Sequence, residues 1–216
     1  MPLTLADLLT SLAYRLGEDS SPDDATEKSR RVRFINEGYR KLIATQPMWF
    51  SETSTTLSSV ALQETYTLPS DFRDIIELRV DNEVYDAISQ AEVFQLENTD
   101  DTEYLYNRFY IYQNELHILP KPEDSGTNNI AIKYFKYPTL VSSDSDTFII
   151  PDFYLDALVA YAYARINQLD DRRGDSADGF DEFNEIVRDL MVENNRQKFY
   201  NKSIRPFYPI DIQYAD

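Results

Sequence analysis

From Thr53 to Pro138 the chain consists of short runs of Thr, Tyr, Ile and Val broken by Asn, Asp, Gly and Pro, whereas on both sides of this block apolar residues recur at helical spacing. Runs of β-branched and aromatic residues between turn formers read as antiparallel strands. A strand block bracketed by helical ends buries its apolar surface in a small number of layered arrangements. The expected fold class is therefore α+β: a helical bundle of about four helices with an inserted antiparallel β-module and an extended C-terminal tail. The 216 residues suit one core of ordinary size. Residues 1–196 are expected to form one domain, with helices at about 4–16, 22–46, 152–169 and 179–195 and the β-module at about 53–138, and 197–216 to form the tail.

The helix boundaries rest on local chemistry. Thr4 followed by Asp7 has the form of a capping box, and Leu5, Leu8, Leu9, Leu12 and Leu16 make one apolar face before Gly17. Ser21 can cap a second helix, with Pro22 in its first turn and Asp23 and Asp24 beside its positive end, and Pro47 stops it. In the third helix, Phe153, Leu155, Leu158, Val159, Ala162 and Ile166 are apolar on more than one face, the pattern of a helix buried on several sides. Asp170 to Gly179 reads as an acidic loop before a last helix carrying Phe180, Phe183, Val187 and Leu190.

Within the strand block, 55–60 and 65–68 are spaced to pair across 61–64. The run at 75–80 turns at Asp81 and Asn82 into 84–87, and that at 109–112 turns at Gln113 and Asn114 into 115–119. Residues 129–137 add a strand, and 89–96 a short helix.

Several reaction classes lack their raw material. With no cysteine there is no disulfide framework, thiolate metal site or cysteine nucleophile. His117 is the only histidine, expected half-exposed opposite Leu116 and Ile118, and no Gly-x-Ser-x-Gly elbow accompanies it. Five scattered glycines make no phosphate-cradling loop. The acidic clusters at Asp100 and Asp101, Asp144 and Asp146, and Asp170, Asp171, Asp175 and Asp178 lack the ligand spacing of a calcium loop. Arg30, Arg33 and Arg40 share one side of the second helix, interrupted by Glu37, where they either contact phosphates or form a solvated or salt-bridged face with pairs such as Glu37 and Lys41. No catalytic, cofactor or metal residue is expected. The N-terminus lacks the pattern of a signal peptide, and no stretch has the length of a membrane span.

A net charge of −17 repels nucleic acid over most of the surface. The tail departs from this composition. Arg196, Lys198, Lys202 and Arg205 form a basic stretch, and Phe199, Tyr200, Phe207, Tyr208 and Tyr214 are aromatic, whereas disordered tails are poor in aromatics. Ile210, Ile212 and Tyr214 alternate with Asp211 and Gln213, a pattern suited to adding a strand to another sheet. These eleven residues are the expected partner-binding set.

Four segments, taken in order, carry a family likeness: FINEGYRKLIATQPMWF at 34–50, YTLPSDFRDIIELRVDNEVY at 66–85, YIYQNELHILPKP at 110–122, and IAIKYFKYPTLVSSDSDTFIIPDFYLDALVAYAYARI at 130–166. Together they resemble the head-to-tail adaptor (connector) proteins of tailed bacteriophages. The resemblance implies a non-enzymatic virion protein of the neck, assembled in the host cytoplasm. It implies a dodecameric ring with the portal protein above, tail or nozzle proteins below, and DNA passing through without tight binding. The expected free state is a monomer, and the tail is expected to dock on the portal. Two other classes remain open: another phage neck or tail-completion protein, and a metal-dependent hydrolase.

Overall fold

The computed structural model describes residues 2–97 and 106–203. The chain divides into two compact units, one of Met1–Leu42 with Val141–Asp216 and one of Ile43–Leu140.

In the first unit, helix α1 (Leu5–Arg15) begins in a complete capping box. The Thr4 hydroxyl accepts from the Asp7 amide (3.4 Å), while the Asp7 carboxylate accepts from the Thr4 amide and hydroxyl (both 2.8 Å). Two further amides of the first turn, those of Leu5 and Ala6, donate to the carbonyl oxygens of Asp146 and Asp144. The aspartate-rich turn at 142–146 is thus a structural cap. Asp146 itself accepts from the amides of Ser142 (2.7 Å) and Ser143 (2.8 Å). Hydrogen bonding to Thr4 holds the Asp7 carboxyl below the usual carboxylate range. Thr4→Ala is expected to lower the melting temperature by roughly 2–4 °C. The capping stabilisation is present above the ordinary carboxylate pKa and fades as pH falls through the depressed value, so the gap between variant and parent in thermal melts should narrow in acid.

Helix α2 (Ala25–Ala44) lies against Tyr161 through Gly38, where an added Cβ would come within 3.0 Å of that side chain. Tyr39, 1% exposed, accepts from the Ile149 amide through its hydroxyl (3.1 Å) and packs edge-on to Phe148, and burial pushes that hydroxyl up to about 12. Asn36 pairs through both ends of its amide with the Val141 backbone, at 2.8 and 3.1 Å. A 3-10 turn, Asp152–Tyr154, leads into the central helix, which buries Ala157 to Ala162, Ala164, Ile166 and Asn167, in line with its all-round apolar sequence.

In the second unit, the sheet contains β1 (Glu52–Ser59), β2 (Thr65–Thr67), β3 (Phe72–Val80), β4 (Glu83–Ala87), β5 (Arg108–Tyr112), β6 (Glu115–Leu119) and β7 (Gly126–Lys136), in the order β1-β7-β3-β4-β5-β6-β2. Alternate residues of these strands form a core of Tyr66, Leu68, Leu78, Val80, Phe109, Leu116, Ile118, Ile130, Ile132 and Tyr134. The β3–β4 and β5–β6 hairpins turn where expected. Asp81, Asn82, Gln113 and Asn114 all have positive φ, the geometry of a two-residue turn that matches strand twist. Arg73 donates to the carbonyl oxygens of Gln46 (3.1 Å), Ala44 (3.3 Å) and Ile43, acceptors left over at the end of α2.

The expected fold class requires correction. The described residues form five α-helices and a seven-stranded curled, mixed sheet, and not a bundle of about four helices with a small antiparallel insert. β1 and β2 do not pair with each other. They occupy opposite edges, β1 on β7 and β2 on β6, because the local sequence defines a strand but its partner is chosen by the core. β4 and β5 run parallel, and such a pair needs a crossover, which carries α3 (Gln90–Glu97).

The C-terminal part also differs. Helix α4 (Asp156–Leu169) is followed almost at once by α5 (Arg173–Ser203), so most of the expected acidic loop is helical and residues 197–203 are not extended. Acidic residues suit a helix N-terminus and basic ones a C-terminus, and no proline intervenes before Pro206. Gly179, read as a loop glycine, is instead a contact residue of α5. A Cβ there would lie 2.9 Å from the Ala164 Cβ and 3.1 Å from the Ala160 carbonyl oxygen.

Candidate functional site

His117 is largely covered, stacked on Tyr110 with ring centroids 4.3 Å apart, and its Nδ1 lies 3.5 Å from Glu64 and 3.4 Å from the Thr65 hydroxyl. Tyr110 also reaches Glu64, at 3.3 Å. This group ties β2 and the residue before it to β5 and β6. Among the described residues no group of three or more His, Asp or Glu side chains is placed to hold a metal ion. Asp144 pairs with Lys28 at 2.7 Å and Asp171 with Arg173 at 3.6 Å, while Asp100 and Asp101 lie outside the described residues. No described helix is long and apolar enough to cross a membrane.

The arginines of α2 form a largely salt-bridged face. Arg30 meets Glu27 (2.7 Å), Arg33 meets Glu37 (3.2 Å), and Glu37 also receives Arg165 (3.3 Å). Arg40 is exposed and makes no ion pair among the described residues.

Of the eleven expected partner-binding residues, Arg196 is described in full. It is 63% exposed and donates to Glu193 at 3.0 Å, and Gln197 holds the other oxygen of that carboxylate at 2.8 Å. Lys198, Phe199, Tyr200 and Lys202 lie on the helical end of α5, whereas Arg205, Phe207, Tyr208, Ile210, Ile212 and Tyr214 fall outside the described residues. Close to Arg196 the fold places an aromatic pair, Phe153 and Tyr154, of which Phe153 is expected from the sequence among the apolar residues of a buried helix. Phe153 is 84% exposed and packs edge-on to Tyr154 (5.2 Å). Burial first, then the carboxylates of Glu193 and Asp189, raise the Tyr154 hydroxyl pKa, and Arg196 opposes them. The Leu3 amide donates to Asp152 beside this pair. Phe153 is the most exposed of the large apolar side chains among the described residues.

A family model for the SU10 adaptor protein matches residues 3–206, which takes in both compact units. The chain belongs to the SU10 adaptor protein family. It is a bacteriophage structural protein of the adaptor type, as the four ordered segments had suggested. No curated protein matches it.

Proposed function

We propose that this SU10 adaptor protein is the head-to-tail adaptor of its virion, a ring between the portal and the tail or nozzle proteins that lines the channel through which DNA passes. The observation that carries this reading is the family match across nearly the whole chain. The charge supports it: at −17 per subunit a channel wall repels the phosphate backbone and lets DNA slide. Like charge also keeps free subunits apart, so the free protein is a monomer that closes into a dodecameric ring on the portal.

The C-terminal segment is the portal-docking element. Its basic residues Arg196, Lys198, Lys202 and Arg205 meet an acidic partner surface, and Phe199, Tyr200, Phe207, Tyr208, Ile210, Ile212 and Tyr214 supply apolar contact. One segment binds weakly after its ordering cost, and the ring multiplies the attachment. Deleting residues 204–216 is expected to leave the melting temperature of the isolated protein within about 2 °C of the parent while abolishing co-sedimentation with portal rings. A large fall in melting temperature would instead put the segment in the core of its own subunit.

A further inference from the structure

Within the first unit, α2 and α5 flank α4. Gly38 of α2 lies against Tyr161 of α4, and the same Tyr161 ring packs edge-on to Phe180 and Phe183 of α5, at 5.6 and 5.2 Å. The exposed side of each helix carries charge of opposite sign. On α2, Arg30, Arg33, Glu37 and Arg40 follow one another at three- and four-residue steps, so they form one stripe, and Arg165 of α4 joins it through Glu37. Its net sign is positive on a chain of −17. On α5, Asp178, Asp181, Glu185 and Asp189 follow at the same steps, all exposed and none in an ion pair among the described residues. Arg188 is the one exposed cation between Asp178 and Asp189. At 1.5 Å per residue, Arg30 to Arg40 and Asp178 to Asp189 span about the same length, roughly 15 Å.

We infer that these two stripes are the two sides of the contact between neighbouring copies of this chain, the basic face of α2 in one subunit seated on the acidic face of α5 in the next. The inference rests on the ring reading above and names its subunit interface. Two different faces of one unit give a head-to-tail contact, the type that closes into a cyclic ring. On a chain of this negative charge, a contact that sets cations of one copy against carboxylates of the next offsets part of the repulsion that ring closure meets. Glu37, in the middle of the α2 stripe, disfavours a nucleic-acid backbone there and suits a partner side that itself contains a cation such as Arg188.

The test uses the full-length chain in particles, with the neck imaged and adaptor content measured. Arg33→Glu with Arg40→Glu, and separately Asp181→Lys with Glu185→Lys, are each expected to cut incorporation at least tenfold. All four substitutions together should restore it, since the charges are then exchanged across the same contact. These side chains are exposed, so unchanged melting temperatures separate an assembly defect from misfolding. Normal incorporation of either double variant, with parent particles showing an intact ring, overturns the interface and leaves the ring. Loss in both without rescue by the fourfold exchange also overturns it, since each face then meets some other partner, nucleic acid included. Parent particles without a ring remove the functional reading itself.

Discussion

Gly179→Leu is expected to destabilise the helical unit strongly, by about 3 kcal/mol or more, whereas Gly174→Ala, five positions earlier in the same helix, is expected to leave it slightly more stable. At 179 the added Cβ would lie 2.9 Å from the Ala164 Cβ, 3.1 Å from the Ala160 carbonyl oxygen and 3.2 Å from the Ala164 Cα. None of these atoms is the free end of a flexible side chain, so α5 would have to move off α4. Overpacking costs typically 1–3 kcal/mol, and a leucine against backbone should reach about 3 kcal/mol or more. At Gly174 nothing lies within 4 Å of the added Cβ, so helix propensity alone acts, and in the first turn of α5 the gain for alanine stays below the roughly 0.5–1 kcal/mol of a helix interior. Thermal melts of both variants check the pair of signs. A Gly179→Leu protein that melts like the parent would mean that α4 and α5 do not cross at Gly179.

Arg31→Ala is expected to cost ~2–3 kcal/mol, or roughly 5–10 °C in melting temperature. The Arg31 side chain is 4% exposed. Its guanidinium makes a two-pronged contact with Glu18, at 2.9 and 2.7 Å, and a third hydrogen bond to Glu27 at 3.0 Å. Burial opposes the charge, but these hydrogen bonds outweigh it and raise the pKa. Breaking a fully buried pair costs more, about 3–5 kcal/mol. The lower figure applies because Glu18 is 41% exposed and Glu27 24%, so water can reach the carboxylates left behind. Arg31→Lys keeps the charge and loses the planar fork, and should fall between parent and alanine. On Glu27, burial raises the pKa, and the bonds from Arg31 and Arg30 outweigh it to leave a depressed value. The stabilisation is therefore present above the ordinary glutamate pKa and lost as pH falls through the folded one, and Arg31→Ala should weaken that acid-side loss.

What could be read in the sequence was local. Thr4 with Asp7 gave the start of α1, and Asp81-Asn82 and Gln113-Asn114 gave two hairpins, because caps and tight turns are decided by a few adjacent residues. The pairing of β1 with β7 and the parallel contact of β4 with β5 depend on residues more than twenty positions apart, and nothing in β1 itself distinguishes β7 from the nearer β2. Acidic residues and Gly174 made the start of α5 look like a loop. They are tolerated because carboxylates suit a helix N-terminus and because Gly179 lets two helices approach closely. The basic and aromatic composition of the C-terminal segment can be read in the sequence, but the exposure of Phe153 cannot. Apolar residues before a buried helix look the same whether a tight turn directs them inward or outward.

The most direct test of the adaptor reading is imaging of purified particles at a resolution that traces the chain in the neck. The account predicts this protein as a closed ring of copies between portal and tail, with α2 of each copy against α5 of the next. Its absence from the neck, or its presence only elsewhere in the virion, would contradict the account.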